Sequence, residues 1–475
     1  MAMRQKHSVL RFSSEILIIG LFLFTSSLPL LYAQEAEAPE APQPADPANP
    51  ESFPPPLNNS TLKVGDYVGA ATCASGTCHG SVEPRDIYKV KQNEYFIWLK
   101  QDRHTQAYNV LLTKQSARIA RNLKLKAKAE QSKLCLDCHA MNVPKSVQAN
   151  PIDLAEGISC EACHGPAGGW LSQHTEEGWT HEKSIEAGMR DLRGLENRAK
   201  NCLTCHLGNS RQQVNHDLIA AGHPDMIFEL DNYTAVMPPH WIPNTTKSKQ
   251  SGDVEPTGGR AWAVGQAVAF REGMLLMASR ARSGHWPEFA EMNCYSCHHS
   301  LKDSEWRQER GYRHKVGGPP WNPARYAVLK HLVAMFAPQE KARLDSQVDR
   351  LAAQIAQLST PASTVAATAS GLADTISRVI PRIENATVDT AVAKRIIDRI
   401  AGDVPFLIES EVHSVEQAIM AINALVNAIA RDNPAIAQGP VAATLDQLYH
   451  DVKDRENFER NRFAQHVADL QRQLP

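Results

Sequence analysis

Aromatic residues make up only 6% of this 475-residue chain, too few for an ordinary core built on Phe, Tyr and Trp. Neither sign of charge dominates: 50 Lys and Arg face 52 Asp and Glu, a formal net charge of -2. A nucleic-acid binder would need a clear basic excess or stripe, so that class is set aside. Past Leu31 no apolar run approaches the ~20 residues of a spanning helix. No cysteine stands alone, and none follows Cys297. With 43% hydrophobic and 21% charged residues, the composition excludes a wholly disordered or fibrous chain. The length suits two or three domains.

The N-terminus has the layout of a secretory signal peptide. Arg4, Lys6 and Arg11 precede a mostly apolar stretch from Ile16 to Leu31, and Ala33 marks the expected cleavage point. Thr25, Ser26, Ser27 and Pro29 interrupt the stretch, which tells against an uncleaved anchor. Residues 1–33 are therefore expected to direct export, to the periplasm first of all. Residues 34–60 hold eight prolines with Glu and Asp but no Lys or Arg, the composition of an extended tether.

The ten cysteines form five close pairs, each followed at once by histidine: Cys73/Cys78 by His79, Cys135/Cys138 by His139, Cys160/Cys163 by His164, Cys202/Cys205 by His206, and Cys294/Cys297 by His298. Four are C-x-x-C-H; the first has four residues between its cysteines. Histidine is 19 of 475 residues, so five such placements by chance have a probability on the order of 10⁻⁷. Two thiols at this spacing can add to the two vinyl groups of one porphyrin, and the adjacent imidazole then reaches iron as proximal ligand. Competing readings explain less. Disulfides or redox C-x-x-C motifs give the histidines no task, and zinc would draw four ligands from two such pairs. Five covalent c-type haems are thus expected within about 265 residues, Thr61 to Arg325. Their faces would replace the missing aromatic core.

A haem iron held by two histidines is closed and suits electron transfer, whereas an open position permits small-molecule chemistry. Nine further histidines lie in the haem region: His104, His174, His181, His216, His223, His240, His285, His299 and His314. His104, His174 and His223 are the favoured distal ligands. The last two lie close to glycines that let the chain turn tightly, and Pro224 stiffens the second of these turns. His240, His285, His299 and His314 are further candidates. Met226 and Met292 suit core packing better than ligation. His331, His413, His450 and His466 lie in cysteine-free helical sequence and are read as ordinary histidines. His104 is expected at the start of a helix running towards Glu130.

The pattern resembles the multihaem cytochromes c of the cytochrome c-554 type. The resemblance rests on Tyr67-Val-Gly-Ala-Ala-Thr-Cys73 leading into the first motif and on the Trp98…His104-x-x-Ala107 element. Gly157-Ile-Ser-Cys160-Glu-Ala-Cys163-His164-Gly-Pro and the order of the first four motifs add to it. It covers roughly Thr61 to His223. It implies a mainly α-helical, loop-rich fold with stacked haems and mostly bis-histidine iron, some members keeping one haem five-coordinate. His104 and His174 match distal-ligand elements of that family, whose founding members relay electrons from hydroxylamine oxidation. The chain departs from it in the longer first motif, the fifth motif and the long C-terminal region. Five haems followed by helices also resemble pentahaem nitrite reductase and hydroxylamine oxidoreductase, but the C-x-x-C-K motif of the former is missing.

From Tyr326 onward the helical period takes over, in Leu329, Leu332, Val333 and Phe336, then Val392, Ile396, Ile397 and Ile400, then Ile419, Ile422, Leu425, Val426 and Ile429. Pro338, Pro361, Pro381, Pro405 and Pro434 punctuate these runs, and Ser414-Val-Glu-Gln417 resembles a capping box. Residues 326–475 are read as a small bundle of four to six helices that shields the haem region or forms a homo-oligomer. Lys114, Arg118, Arg121, Lys124, Lys126, Lys128 and Lys133 make one stretch strongly basic. It is either a solvated helical face or a surface that steers an acidic redox partner.

The expectation is a mainly α protein: a loop-rich pentahaem cytochrome c domain over 61–325, then a helical domain. Such a protein passes electrons between unnamed donor and acceptor proteins. The alternative is a multihaem oxidoreductase whose one open haem acts on a small nitrogen or oxygen compound; the looser Cys73/Cys78 motif is a possible seat for it.

Overall fold

The computed structural model describes residues 62–85, 90–241, 258–298, 318–410, 412–455 and 457–475. The expected signal peptide and tether lie outside the described residues, as do His299 and His314. The fold is mainly α-helical. No β-sheet occurs among the described residues, only the isolated bridges Tyr67–Gln148, Gly208–Gln213 and Met292–Trp321.

Two packing regimes share the chain. Between residues 62 and 241 the α-helices are short, from four to twelve residues, and joined by single 3₁₀ turns and long irregular segments. Apolar burial there is meagre and scattered. Val68 packs with Ala167 and Trp170; Leu111, Ala120, Ala129, Leu136 and Ala140 form a second nucleus; Ile119, Leu218 and Ala221 form a third. Such clusters are too small to order about 180 residues by themselves. The helix expected from His104 towards Glu130 is broken into Arg103–Gln106, Ala107–Leu111, Lys114–Asn122 and Ala129–Gln131. Thr113 caps the third piece by accepting from the Ser116 amide, and Lys124 at φ 54° ends it.

The second regime is one apolar core running from Leu195 to Leu474, continuous across residue 325. Its axis is the helix Gly259–Arg282, buried along most of its length by the helices around it, with Arg260, Glu272, Ser279 and Arg282 on the one less buried face. It lies chiefly against Ala362–Glu384, and also against Leu195–His206. Trp262, Phe270 and Met277 on it are fully buried, each contributing about 1.5–3 kcal/mol by burial. Gly265 is required by its neighbour, since a Cβ there would stand 2.6 Å from the Leu230 Cβ.

Beyond Val328 the described residues hold eight α-helices of seven residues or more, not four to six. The apolar positions read from the helical period are largely interior: Leu329, Leu332, Val333, Ile396, Ile397, Ile400, Ile419, Ile422, Leu425, Val426 and Ile429 are all buried. Pro338 and Pro361 do open helices, but Pro381 lies inside Ala362–Glu384, close to its end. The capping box is not formed. Ser414 is interior to Val412–Asp432, and Gln417 instead accepts from Gln266 Nε2 at 2.7 Å. Among the described residues no helix is long and apolar enough to cross a membrane.

Candidate functional site

Helical geometry accounts for the C-x-x-C-H spacing. Positions i, i+3 and i+4 share one helical face, so two thiols and an imidazole emerge together. Lys133–His139, Cys160–His164 and Leu195–His206 each end on the motif histidine. Leu195, Ala199 and Leu203 fasten the last of these to the large core. At the fifth motif a single 3₁₀ turn, Cys294–Ser296, leads to His298, whose amide donates to the Cys294 carbonyl at 2.8 Å.

The longer first motif reaches the same closure by another path. A turn of Ser75 to Cys78 absorbs the two extra residues, and the His79 amide still donates to the carbonyl of its first cysteine, Cys73, at 3.2 Å. Gly80 makes this possible: a Cβ there would fall 1.8 Å from the Ala74 carbonyl oxygen.

Each motif histidine faces one other histidine. The ring centroids are 6.3 Å apart for His79–His174, His206–His104, His164–His240 and His298–His216, and 6.4 Å for His139–His223. A metal–imidazole bond is about 2.0–2.1 Å and the ring centroid lies ~1.1–1.2 Å behind the nitrogen, so imidazoles on opposite faces of one iron have centroids about 6.2–6.6 Å apart. All five separations meet that requirement. The ring planes are nearly parallel in His79–His174, at 7°, and nearly perpendicular in the pairs of His104, His139 and His164, at 84°, 82° and 79°. His216–His298 is intermediate at 31°.

Hydrogen bonds at Nδ1 orient many of these rings, leaving Nε2 for the gap. His79 Nδ1 meets Glu94 at 3.0 Å, and His104 Nδ1 meets Asp102 at 2.8 Å. Backbone carbonyls serve the others: Ala107 for His139 at 2.8 Å, Leu171 for His174 at 2.6 Å and Pro224 for His223 at 2.7 Å. Burial lowers the pKa of His139, His174, His223 and His240, and takes His164 and His206 down to about 4. These imidazoles stay neutral at pH 7, the form with a lone pair for a metal. His104 is the exception, raised by its bond to Asp102. Among the described residues no group of three or more His, Cys, Asp or Glu converges into a metal cage. A porphyrin supplies four ligands itself, so two side chains per iron are all the protein need provide.

The motifs also approach one another. The Cys73 thiol is a near neighbour of that of Cys160, and the Cys138 thiol of that of Cys205; the proximity pushes Cys160 and Cys138 up and Cys205 down. Motif one therefore adjoins motif three, and motif two adjoins motif four.

Four of the seven distal candidates named above sit opposite a motif histidine: His104, His174, His223 and His240. His285 does not; its Nδ1 meets the Ser283 hydroxyl at 3.0 Å, and it lines an open cavity beside His216. His216, counted among the nine but not singled out, is the partner of His298. The signal for it was faint: Asn215 caps its short helix, accepting from the Leu218 amide, and Glu288 accepts the His216 amide at 2.9 Å from 72 residues away. His181 pairs with Asp191, His331 with Asp403 and His466 with Asp451.

A family model described as cytochrome c554 and c-prime matches residues 72–165, which hold the first three motifs. The match takes in 94 of 475 residues and is consistent with some relation to that family; the last two motifs and the C-terminal helices lie beyond it. Neither curated proteins nor solved structures give a match.

Proposed function

We propose that this chain is an exported c-type cytochrome that carries five covalently attached haems and relays electrons between partner proteins. The observation that carries the reading is the set of five facing histidine pairs, each spaced for one iron. When bound, each haem would supply a one-electron iron couple. The chain's part is to hold two imidazoles per iron, fix their Nε2 atoms inward through Nδ1 hydrogen bonds, and keep most of them neutral by burial. Pairs closed on both faces leave no position for a substrate, which favours a relay over an oxidoreductase with an open haem. The neighbouring cysteines of motifs one and three, and of two and four, favour haem edges close enough for exchange along the chain. Thin apolar clusters between residues 62 and 241 fit an interior completed by porphyrin faces.

The test is the visible spectrum of the dithionite-reduced, periplasmically matured protein before and after carbon monoxide. Five haems per chain with no spectral change on adding the gas is the expected result. A change worth one haem in five would replace the relay with the open-haem oxidoreductase, and fewer than five haems would remove the pairing argument.

A further inference from the structure

The basic segment is tied to both members of one histidine pair. Helix Lys114–Asn122 packs Ile119 against Leu218 and Ala221, while Asn122 Nδ2 donates to the Ala221 carbonyl at 3.0 Å and Gln115 Nε2 to the Gly222 carbonyl at 3.2 Å. Those carbonyls immediately precede His223. On its other side Ala120 packs with Leu136, inside the helix that ends at His139. The segment thus straddles the His139–His223 pair. Its charges face solvent: Lys114, Arg118, Arg121, Lys124 and Lys126 are exposed, and no carboxylate among the described residues pairs with any of them. Lys128 and Lys133, by contrast, are partnered by Glu130 and Asp137. Five unpaired cations on one short segment stand out in a chain of formal net charge -2. Cations left unpaired beside a redox centre raise the encounter rate with an anionic partner, and more so at low ionic strength.

We propose that this face, over the His139–His223 pair, is the docking surface for an acidic soluble redox protein, making the second motif the port through which electrons enter or leave. The proposal rests on the haem reading above and specifies where that relay meets its partner. Stopped-flow reduction of the haem-loaded protein by photoreduced flavodoxin, an acidic probe, tests it from low to high salt, with uncharged reduced lumiflavin as control. The flavodoxin rate should fall at least about tenfold as salt rises. The variant Lys114→Gln/Arg118→Gln/Arg121→Gln/Lys124→Gln should lose a similar factor at low salt and most of its salt dependence, while its lumiflavin rate and haem spectrum stay as in the parent. An unchanged rate and salt slope in that variant overturns the proposal. So does a salt-insensitive flavodoxin rate with charge-dependent binding to phosphatidylglycerol vesicles, which would make the face a lipid surface. Failure of the haem reading is distinct, since that protein would show no haem absorbance to follow.

Discussion

Glu161 lies between the cysteines of the third motif, buried to 1% exposure, and its carboxylate is the meeting point of three backbone donors. The Val68 amide reaches both of its oxygens at 3.0 and 3.1 Å, Gly69 donates at 2.9 Å and Ala167 at 2.8 Å. One side chain thereby binds the approach to the first motif to the exit from the third. Replacing it in Glu161→Ala strands three amides. A buried unsatisfied donor costs about 1–3 kcal/mol, so the sum is roughly 3–9 kcal/mol if the site stays dry. Two effects reduce that figure. Burial has pushed the Glu161 carboxyl above its ordinary pKa, so removing it relieves a desolvation cost, and Gly69 is half-buried and can reach water. The net loss should be about 2–4 kcal/mol. Glu161→Gln keeps one acceptor oxygen and should lose about half as much. Guanidinium denaturation of the haem-loaded variants, followed by far-UV circular dichroism, reads the difference. A loss under about 1 kcal/mol for alanine, or a glutamine variant no better than alanine, refutes the three-donor account.

Other perturbations reach different parts of the structure. His216→Ala removes the partner of His298, and carbon monoxide should then shift about one fifth of the reduced haem spectrum; no shift would mean that another group closes that iron. Perpendicular and parallel imidazole planes give different low-spin ferric signals. Low-temperature electron paramagnetic resonance should therefore show three strongly anisotropic irons and one rhombic iron from His79–His174; a uniform set of signals would contradict the ring angles. Burial raises the Glu229 carboxyl to about 8, well above its unfolded value of 4.5, with Asp231 beside it raised to about 6 from 3.8. A raised carboxyl binds its proton more tightly when folded, so stability is highest below the unfolded pKa and falls as pH climbs to the folded one. Glu229→Gln should flatten that fall between about pH 6 and 8, leaving the lower part that Asp231 causes; melting temperatures across pH 5 to 9 will show whether the slope persists.

Much of the candidate site was legible because its chemistry is local. Cysteine, cysteine and histidine share a helical face at fixed offsets, so the five motifs could be read without a structure. Distal partners were legible where a turn announced them, as at Gly169 before His174 and Gly222 before His223, and His104 where the family resemblance marked it. His216 carries no such mark, because its place depends on Glu288 reaching its amide from 72 residues away. His285 was among the further candidates, yet its amide donates to the Arg280 carbonyl and its Nδ1 meets Ser283, not a motif histidine. In the C-terminal region the apolar period told which side of each helix is interior. It could not show that Gly259–Arg282, buried on all but one narrow face, would join the same core. Nor could it show that Ser414, a capping residue by type, would sit inside the first turn of its helix instead of before it.

The histidine pairs span residues 79–174, 104–206, 139–223, 164–240 and 216–298, and every interval overlaps the next. The segment is interlocked like links in mail: a cut anywhere between 79 and 298 parts at least one couple. A fragment ending before His240 leaves His164 unmatched, however complete its cysteine motifs. As the chain is made from its N-terminus, each couple can close only when its later member emerges, in the order 174, 206, 223, 240, 298. Motif four would therefore close before motifs two and three, and the last closure waits for the final motif. The segment of paired histidines offers evolution no seam at which to divide it; it can be lengthened at its end, but not halved.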